Sequence, residues 1–135
     1  MEKRLSIFEK IIKYNFKKKL LLEKALTHKS YNNNVNNEKL EFLGDRVLGL
    51  TISEKLLEKY PEEKEGVIDK KFANLVNKKT CSLIAKKIDL KRFILLGSSH
   101  RKLDRSSDKI TSDCLEAIVG AIYLDGGLKF AKKFI

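Results

Sequence analysis

"NEKLEFLGDRVLGL", Asn37 to Leu50, sets three carboxylates, Glu38, Glu41 and Asp45, into a segment otherwise built mainly of Leu, Phe, Val and Gly. A helix advances about 100° per residue, so acids spaced i, i+3 and i+7 share one face. Leu40, Leu43, Val47 and Leu50 take the opposite side. Phe42 and Leu48 flank the acidic stripe, and Leu48 and Ile52 continue its line. Such a helix is apolar nearly all round, which predicts that it is buried and that its carboxylates face a cleft. Asn37 closes the Asn-rich loop "YNNNVNN" and is the expected N-cap. The helix is predicted from Glu38 to Lys59, stopping before Pro61.

Helical spacing recurs through the rest of the chain, and β-branched alternation is nearly absent, so the fold is read as all-α. Leu5, Phe8, Ile11 and Ile12 mark a first helix, and Leu20 to Leu26 a second. After the polar connector "PEEKEG", helices are predicted over Ile68 to Asn77 and Thr80 to Ile88. "LLGSSHRKLDRSS" has no apolar period and reads as a loop. A strongly apolar helix follows from about Ser112 to Leu124, ended by "DGG" at Asp125 to Gly127. The closing "LKFAKKFI" starts another helix and ends on Phe134 and Ile135, an apolar end that points to a longer natural chain. No repeat or internal domain boundary is visible, so residues 1–135 are expected to form one domain with one modest core.

The apolar helix near the C-terminus carries a second acidic stripe. In "SDCLEAIVGAIYLDGG", Asp113 and Glu116 are i, i+3 neighbours, with Ala117 and Gly120 at or beside their face. Small residues there, and Gly44 and Gly49 on the first helix, allow a close crossing that would bring Glu41, Asp45, Asp113 and Glu116 together. Clustered carboxylates repel one another and need a cation unless they protonate. Neither stripe contains His, and no Cys pair has ligand spacing, so an all-oxygen site for a hard ion, Mg²⁺ or Mn²⁺, is expected. Such an ion suits phosphodiester hydrolysis. The competing structural reading pairs each acid with a cation such as Arg46. Two stripes on two apolar helices favour the metal.

Composition sets the outer bounds. The net charge of +11, from 29 Lys and Arg against 18 Asp and Glu, favours a polyanionic partner, nucleic acid or an anionic membrane surface. The run Lys17 to Lys19 and the pairs Lys70–Lys71, Lys78–Lys79 and Lys86–Lys87 are candidate phosphate contacts. Cys81 and Cys114 form no disulfide framework, which fits a reducing cytoplasm. The most apolar stretch, Ala117 to Leu124, is too short to span a bilayer. The N-terminus reads as an amphipathic helix and not as a cleaved signal. His28, in "THKS", is a tempting general base, but a lone His there is more often structural, and it is left out of the site.

At these residues a family resemblance is evident. "NEKLEFLGDRVLGL" closely resembles the signature of the ribonuclease III endonuclease domain of the bacterial type, and "SDCLEAIVGAIYLDGG" is similar to that family's second motif. "ALTHKSY", "PEEKEG" and "LVNKKT" fall, in order, where the family has similar stretches. The resemblance implies an all-helical, homodimeric domain that cuts double-stranded RNA with Mg²⁺, leaving 5′-phosphates and short 3′ overhangs. It also implies that Glu41, Asp45, Asp113 and Glu116 bind the metal, with Asp45 and Glu116 the most critical for catalysis. Glu38 and Glu65 match further acids of the substrate cleft, Lys109 a lysine some members place near the scissile phosphate, and Phe42 an aromatic inserted into the partner subunit.

Departures from the family's pattern are also present. His100 stands where many bacterial members have an acid. Lys71 and Phe72 stand where an apolar residue followed by a basic one is common, an order that would shift a phosphate contact by one position. Most members carry a double-stranded RNA-binding domain after this one, and no such segment follows in these 135 residues. Three other readings stand beside the nuclease reading: an inactive RNA-binding scaffold of the same fold, an all-helical nucleotide pyrophosphatase using E-x-x-E and E-x-x-D pairs, and a structural helical module with no chemistry.

Overall fold

The structure is a computed structural model and describes residues 2–98 and 108–135. Seven α-helices follow in order among these residues: α1 (Glu2–Ile12), α2 (Lys19–Ala25), α3 (Glu38–Lys59), α4 (Glu65–Val76), α5 (Lys78–Lys87), α6 (Asp108–Gly126) and α7 (Leu128–Phe134). A short 3₁₀ turn over Leu90–Phe93 follows α5. The described residues form no strand, so the all-α expectation holds. The predicted bounds of α3 hold as well. Other helices start earlier than periodicity predicts, at Glu65, Lys78 and Asp108, because polar first turns carry no apolar signal.

The central element is α6, not α3. Twelve residues of α6, spread between Ile110 and Ile122, are buried. Only Leu40, Gly44, Val47, Thr51 and Leu56 are buried on α3, whereas Phe42, Leu50 and Leu57 are each about 60% exposed. The expectation of an all-round buried α3 is therefore corrected. One side of it packs on α6, and much of its remaining apolar surface is uncovered. The line that meets α6 is Leu40, Gly44, Val47 and Thr51, which takes in Leu40 and Val47 of the predicted apolar face but not Leu50.

Two glycines set how closely these helices cross. A Cβ on Gly44 would overlap the backbone carbonyl of Glu116, and a Cβ on Gly120 would overlap that of Leu40. Gly49 has no such role. It faces the ring of Phe72 on α4, with ordinary room for a methyl at 3.6 Å. Phe72 is thus turned toward α3, while Lys71 lies over the Tyr60 ring at 4.3 Å.

Long-range polar ties hold the periphery. Asn37 occupies the N-cap position of α3, but the side chain that accepts the Glu38 N–H is that of Asn36, at 3.1 Å. The Asn37 side chain is buried instead and donates to the Ala25 carbonyl. A parallel bridge joins Thr27 to Leu95. Next to it, Ser30 Oγ bonds His28 Nδ1 at 2.8 Å and accepts the Gly97 N–H at 2.9 Å, so His28 is a hydrogen-bonded structural residue. Glu9, almost fully buried, takes the Phe16 N–H and the Lys19 ammonium. Asp125 accepts from Tyr14 Oη at 2.7 Å and from the Lys17 and Lys18 N–H groups at 2.9 Å. Burial alone would raise the Asp125 carboxyl. The Lys17 N–H, the Tyr14 hydroxyl and the Lys18 N–H outweigh it and hold the group below its ordinary range.

Two outcomes follow for stability, both read by thermal or denaturant unfolding. Gly44→Ala forces the α3 and α6 backbones apart and is expected to cost about 3 kcal/mol, while Gly49→Ala is neutral or stabilising. Thr51 is fully buried, and its hydroxyl has no hydrogen-bond partner among the described residues. Removing that hydroxyl with the similarly shaped Thr51→Val is expected to stabilise the fold by about 1 kcal/mol.

Candidate active site

The α3–α6 crossing delivers three carboxylates to one place. One oxygen each from Glu41, Asp113 and Glu116 lie within 4.8 Å of one another. Glu116 is buried, and Glu41 and Asp113 are half-buried. They open into a pocket of about 380 Å³ that Glu38 and Asp45 also line. Lys109 on α6 and Asn77 and Lys78 at the start of α5 line it as well. The structure therefore brings together Glu38, Glu41, Asp45, Lys109, Asp113 and Glu116.

Asp45 lines the pocket outside the mutual 4.8 Å set, with its side chain 54% exposed and 3.5 Å from Arg46. Glu65 is not brought to this pocket. It is exposed in the first turn of α4. Phe42 points away from the core, its ring covered by the Arg46 guanidinium at 3.8 Å. His100 lies outside the described residues.

The salt-bridge alternative is met only at the rim. Lys109 holds Asp113 at 2.8 Å, and Arg46 reaches Asp45. Glu41 and Glu116 have no ion pair among the described residues. Burial, with the neighbouring Asp45, Glu41 and Asp113 carboxylates, pushes the Glu116 carboxyl up to about 9. Burial and the charges of Asp113 and Asp45 also raise Glu41, against the opposing pull of Lys109 and Lys78. The Lys109 ammonium is raised by its bond to Asp113.

An all-oxygen donor set with unrelieved repulsion suits a hard divalent cation. Cys81 also lines the pocket, but burial and the surrounding acids push its thiol up to about 11, so it stands there as a neutral group. The three close carboxylates are thus a candidate metal centre, with Asp45 and Glu38 at its open side.

Residues 18–135 match the family model described as ribonuclease-III-like. The chain belongs to the ribonuclease III family. It is 59% identical over 127 residues to ribonuclease 3 of Pelagibacter ubique, covering 94% of this chain and 57% of that protein. It is 46% identical over 129 residues to ribonuclease 3 of Sulfurovum sp., covering 95% of this chain and 58% of the relative. The chain therefore spans a little over half the length of these curated relatives. Its fold superposes on the nuclease domain of ribonuclease III from Campylobacter jejuni with a TM-score of 0.92 and 44% identity, covering 94% of this chain and 90% of that one. That Campylobacter structure is described for flexibility in a region involved in dimer formation.

Val76, Asn77 and Ser112 line the pocket with no role assigned to them by the sequence, which marks Lys78 only as a candidate phosphate contact. Lys78 appeared only as half of a basic pair, and nothing in its spacing distinguishes it from Lys79.

The pKa of Glu116 carries a sign that can be checked. Its folded-state value, about 9, lies above its ordinary 4.5. Between those limits the unfolded chain binds fewer protons than the folded one, so stability of the metal-free protein falls as pH rises from about 5 to about 9. Glu116→Gln is expected to flatten that slope and to raise the metal-free melting temperature near pH 8. Identical pH profiles for the two proteins would contradict the shift.

Proposed function

We propose that this ribonuclease III family chain is a Mg²⁺-dependent endoribonuclease that hydrolyses double-stranded RNA, with Mn²⁺ able to substitute. The observation that supports this best is the cluster of Glu41, Asp113 and Glu116, held within 4.8 Å at the α3–α6 crossing of the family's fold. In this reading these three carboxylates and Asp45 hold the ion. Asp45 and Glu116 matter most: Glu116 because it is buried at the centre of the cluster, Asp45 because its exposed carboxylate borders the space where water and phosphate would meet. Lys109 fixes Asp113 in position, and Glu38 and Glu65 lie toward the substrate. A bound divalent cation supplies positive charge against the phosphate oxygens and favours deprotonation of water. The oxygen of water joins phosphorus, the P–O3′ bond breaks, and the products carry a 5′-phosphate and a 3′-hydroxyl. Cuts offset between the two strands leave short 3′ overhangs.

The same reading makes the working unit a homodimer in which each subunit cuts one strand. Phe42, 59% exposed and stacked by Arg46, suits insertion into a partner. The substrates would be structured precursors in ribosomal and messenger RNA maturation, in the cytoplasm. Two free, buried cysteines fit that compartment. No helix among the described residues is long and apolar enough to cross a membrane. A net charge of +11 fits a polyanionic substrate whose binding weakens steeply with salt and follows A-form shape more than base identity.

The test is a long, perfectly paired RNA duplex at low salt, with Mg²⁺ or with a chelator, resolved on a denaturing gel. Mg²⁺-dependent shortening of both strands is expected. Glu116→Gln should lower kcat on the order of 10²-fold or more, as for loss of a group that stabilises transition-state charge. A bound but intact duplex would point to the inactive scaffold, and hydrolysis of nucleoside triphosphates in its place to the pyrophosphatase.

A further inference from the structure

The acid pocket is lined by two lysines in different states. Lys109 is committed to Asp113 at 2.8 Å. Lys78 is exposed and has no hydrogen bond or ion pair among the described residues. The Lys78 charge nevertheless reaches Glu41 across the pocket. Of the paired lysines along α4 and α5, Lys78 is the one that lines this pocket.

Its position is well anchored. Asn77, the residue before it, accepts the Thr80 N–H at 2.8 Å and donates to the Ala73 carbonyl at 3.0 Å and the Asn74 carbonyl at 3.2 Å. These bonds tie the end of α4 to the start of α5 and hold the Lys78 backbone at the pocket's edge. Its four-carbon stem is free to swing.

An uncommitted ammonium beside acids has a simple role while the site is metal-free: it offsets their repulsion. A bound divalent cation lessens that role, because it offsets two of the acid charges and draws carboxylate oxygens to itself. Lys78 is then left at the pocket's edge with no ion pair of its own among the described residues, and a ligand anion suits it. A phosphodiester supplies such an anion next to the cation.

We propose that Lys78 holds a backbone phosphate of the RNA strand beside the bond that is cut, as a substrate-positioning residue. This rests on the nuclease reading of the same site. Lys109, occupied by Asp113, orders the acids, and Lys78 meets the strand.

The test uses the full chain with Mg²⁺ and a paired RNA duplex, measuring kcat and KM at several salt concentrations. Lys78→Gln is expected to raise KM about tenfold, the effect of losing one charged hydrogen bond to phosphate. The salt slope of log KM should fall by about 1, with kcat nearly held. Lys78→Arg should restore most of the KM. Lys10→Gln removes the same charge from the exposed face of α1 and should change neither KM nor slope. An unchanged KM and salt slope in Lys78→Gln would overturn the proposal. So would a fall in kcat at constant KM and slope, which would place Lys78 with the acids and not with the RNA. A wild-type chain that leaves the duplex intact overturns the nuclease reading and this inference with it. A cutting wild type with an indifferent Lys78→Gln overturns this inference alone.

Discussion

Backbone meets backbone where α3 crosses α6, and the rest of the molecule is arranged around that contact. Gly44 and Gly120 lack the side chains that would separate the helices, and each faces a carbonyl of the opposite helix. The carbonyl opposite Gly44 belongs to Glu116, the residue whose carboxylate is buried in the acid cluster. Close approach and burial of that acid are therefore one event. Apolar packing along α6, from Ile110 to Ile122, offsets the cost of holding like charges together. A looser crossing would move Glu41 away from Asp113 and Glu116 and expose all three to water.

Charge in the site is graded from rim to centre. Asp113 and Asp45 have cations of their own, in Lys109 and Arg46. Glu41 and Glu116 have none among the described residues, and both are pushed upward by burial and by neighbouring carboxylates: Asp113 and Asp45 for Glu41, and Asp45, Glu41 and Asp113 for Glu116. The metal-free fold thus keeps a protonated carboxyl at its centre near neutral pH. A divalent cation held by Glu41, Asp113 and Glu116 would compete with that proton and relieve the repulsion, so its binding would tighten as pH rises. Rim pairs have a different effect. They fix Asp113 and shield Asp45 without satisfying the inner acids, which leaves the centre the strongest cation sink.

Much of this was legible in the sequence, and the limits are physical. An Asn-rich loop and Pro61 punctuate both ends of α3, so its bounds are local information. Acid spacing gave the two stripes, and small residues gave the crossing at Gly44 and Gly120. Gly49 shows the ambiguity of that signal, since the same residue type faces a phenyl ring. The partners of Glu9 and Asp125, the Thr27–Leu95 bridge and the Ser30–Gly97 bond depend on three-dimensional neighbours that no periodicity encodes. Exposure of Phe42, Leu50 and Leu57 was hidden for a related reason. Periodicity reports which residues are apolar, not how many elements are present to cover them.

A second cavity completes the account of the buried acid. An open groove of about 740 Å³, lined mostly by apolar residues such as Leu48, Ile84, Leu115 and Phe134, shares Cys81 and Glu116 with the acid pocket. Those two residues form the partition between a charged compartment and an apolar one. Burial at that partition, with the neighbouring carboxylates, raises the Glu116 carboxyl. It acts likewise on Cys81, whose thiol stays protonated with a pKa of about 11. A thiolate at that position would add another negative charge and a soft ligand, drawing the site toward zinc. Kept neutral, Cys81 leaves carboxylate oxygens as the charged donors, a set that would suit a hard ion.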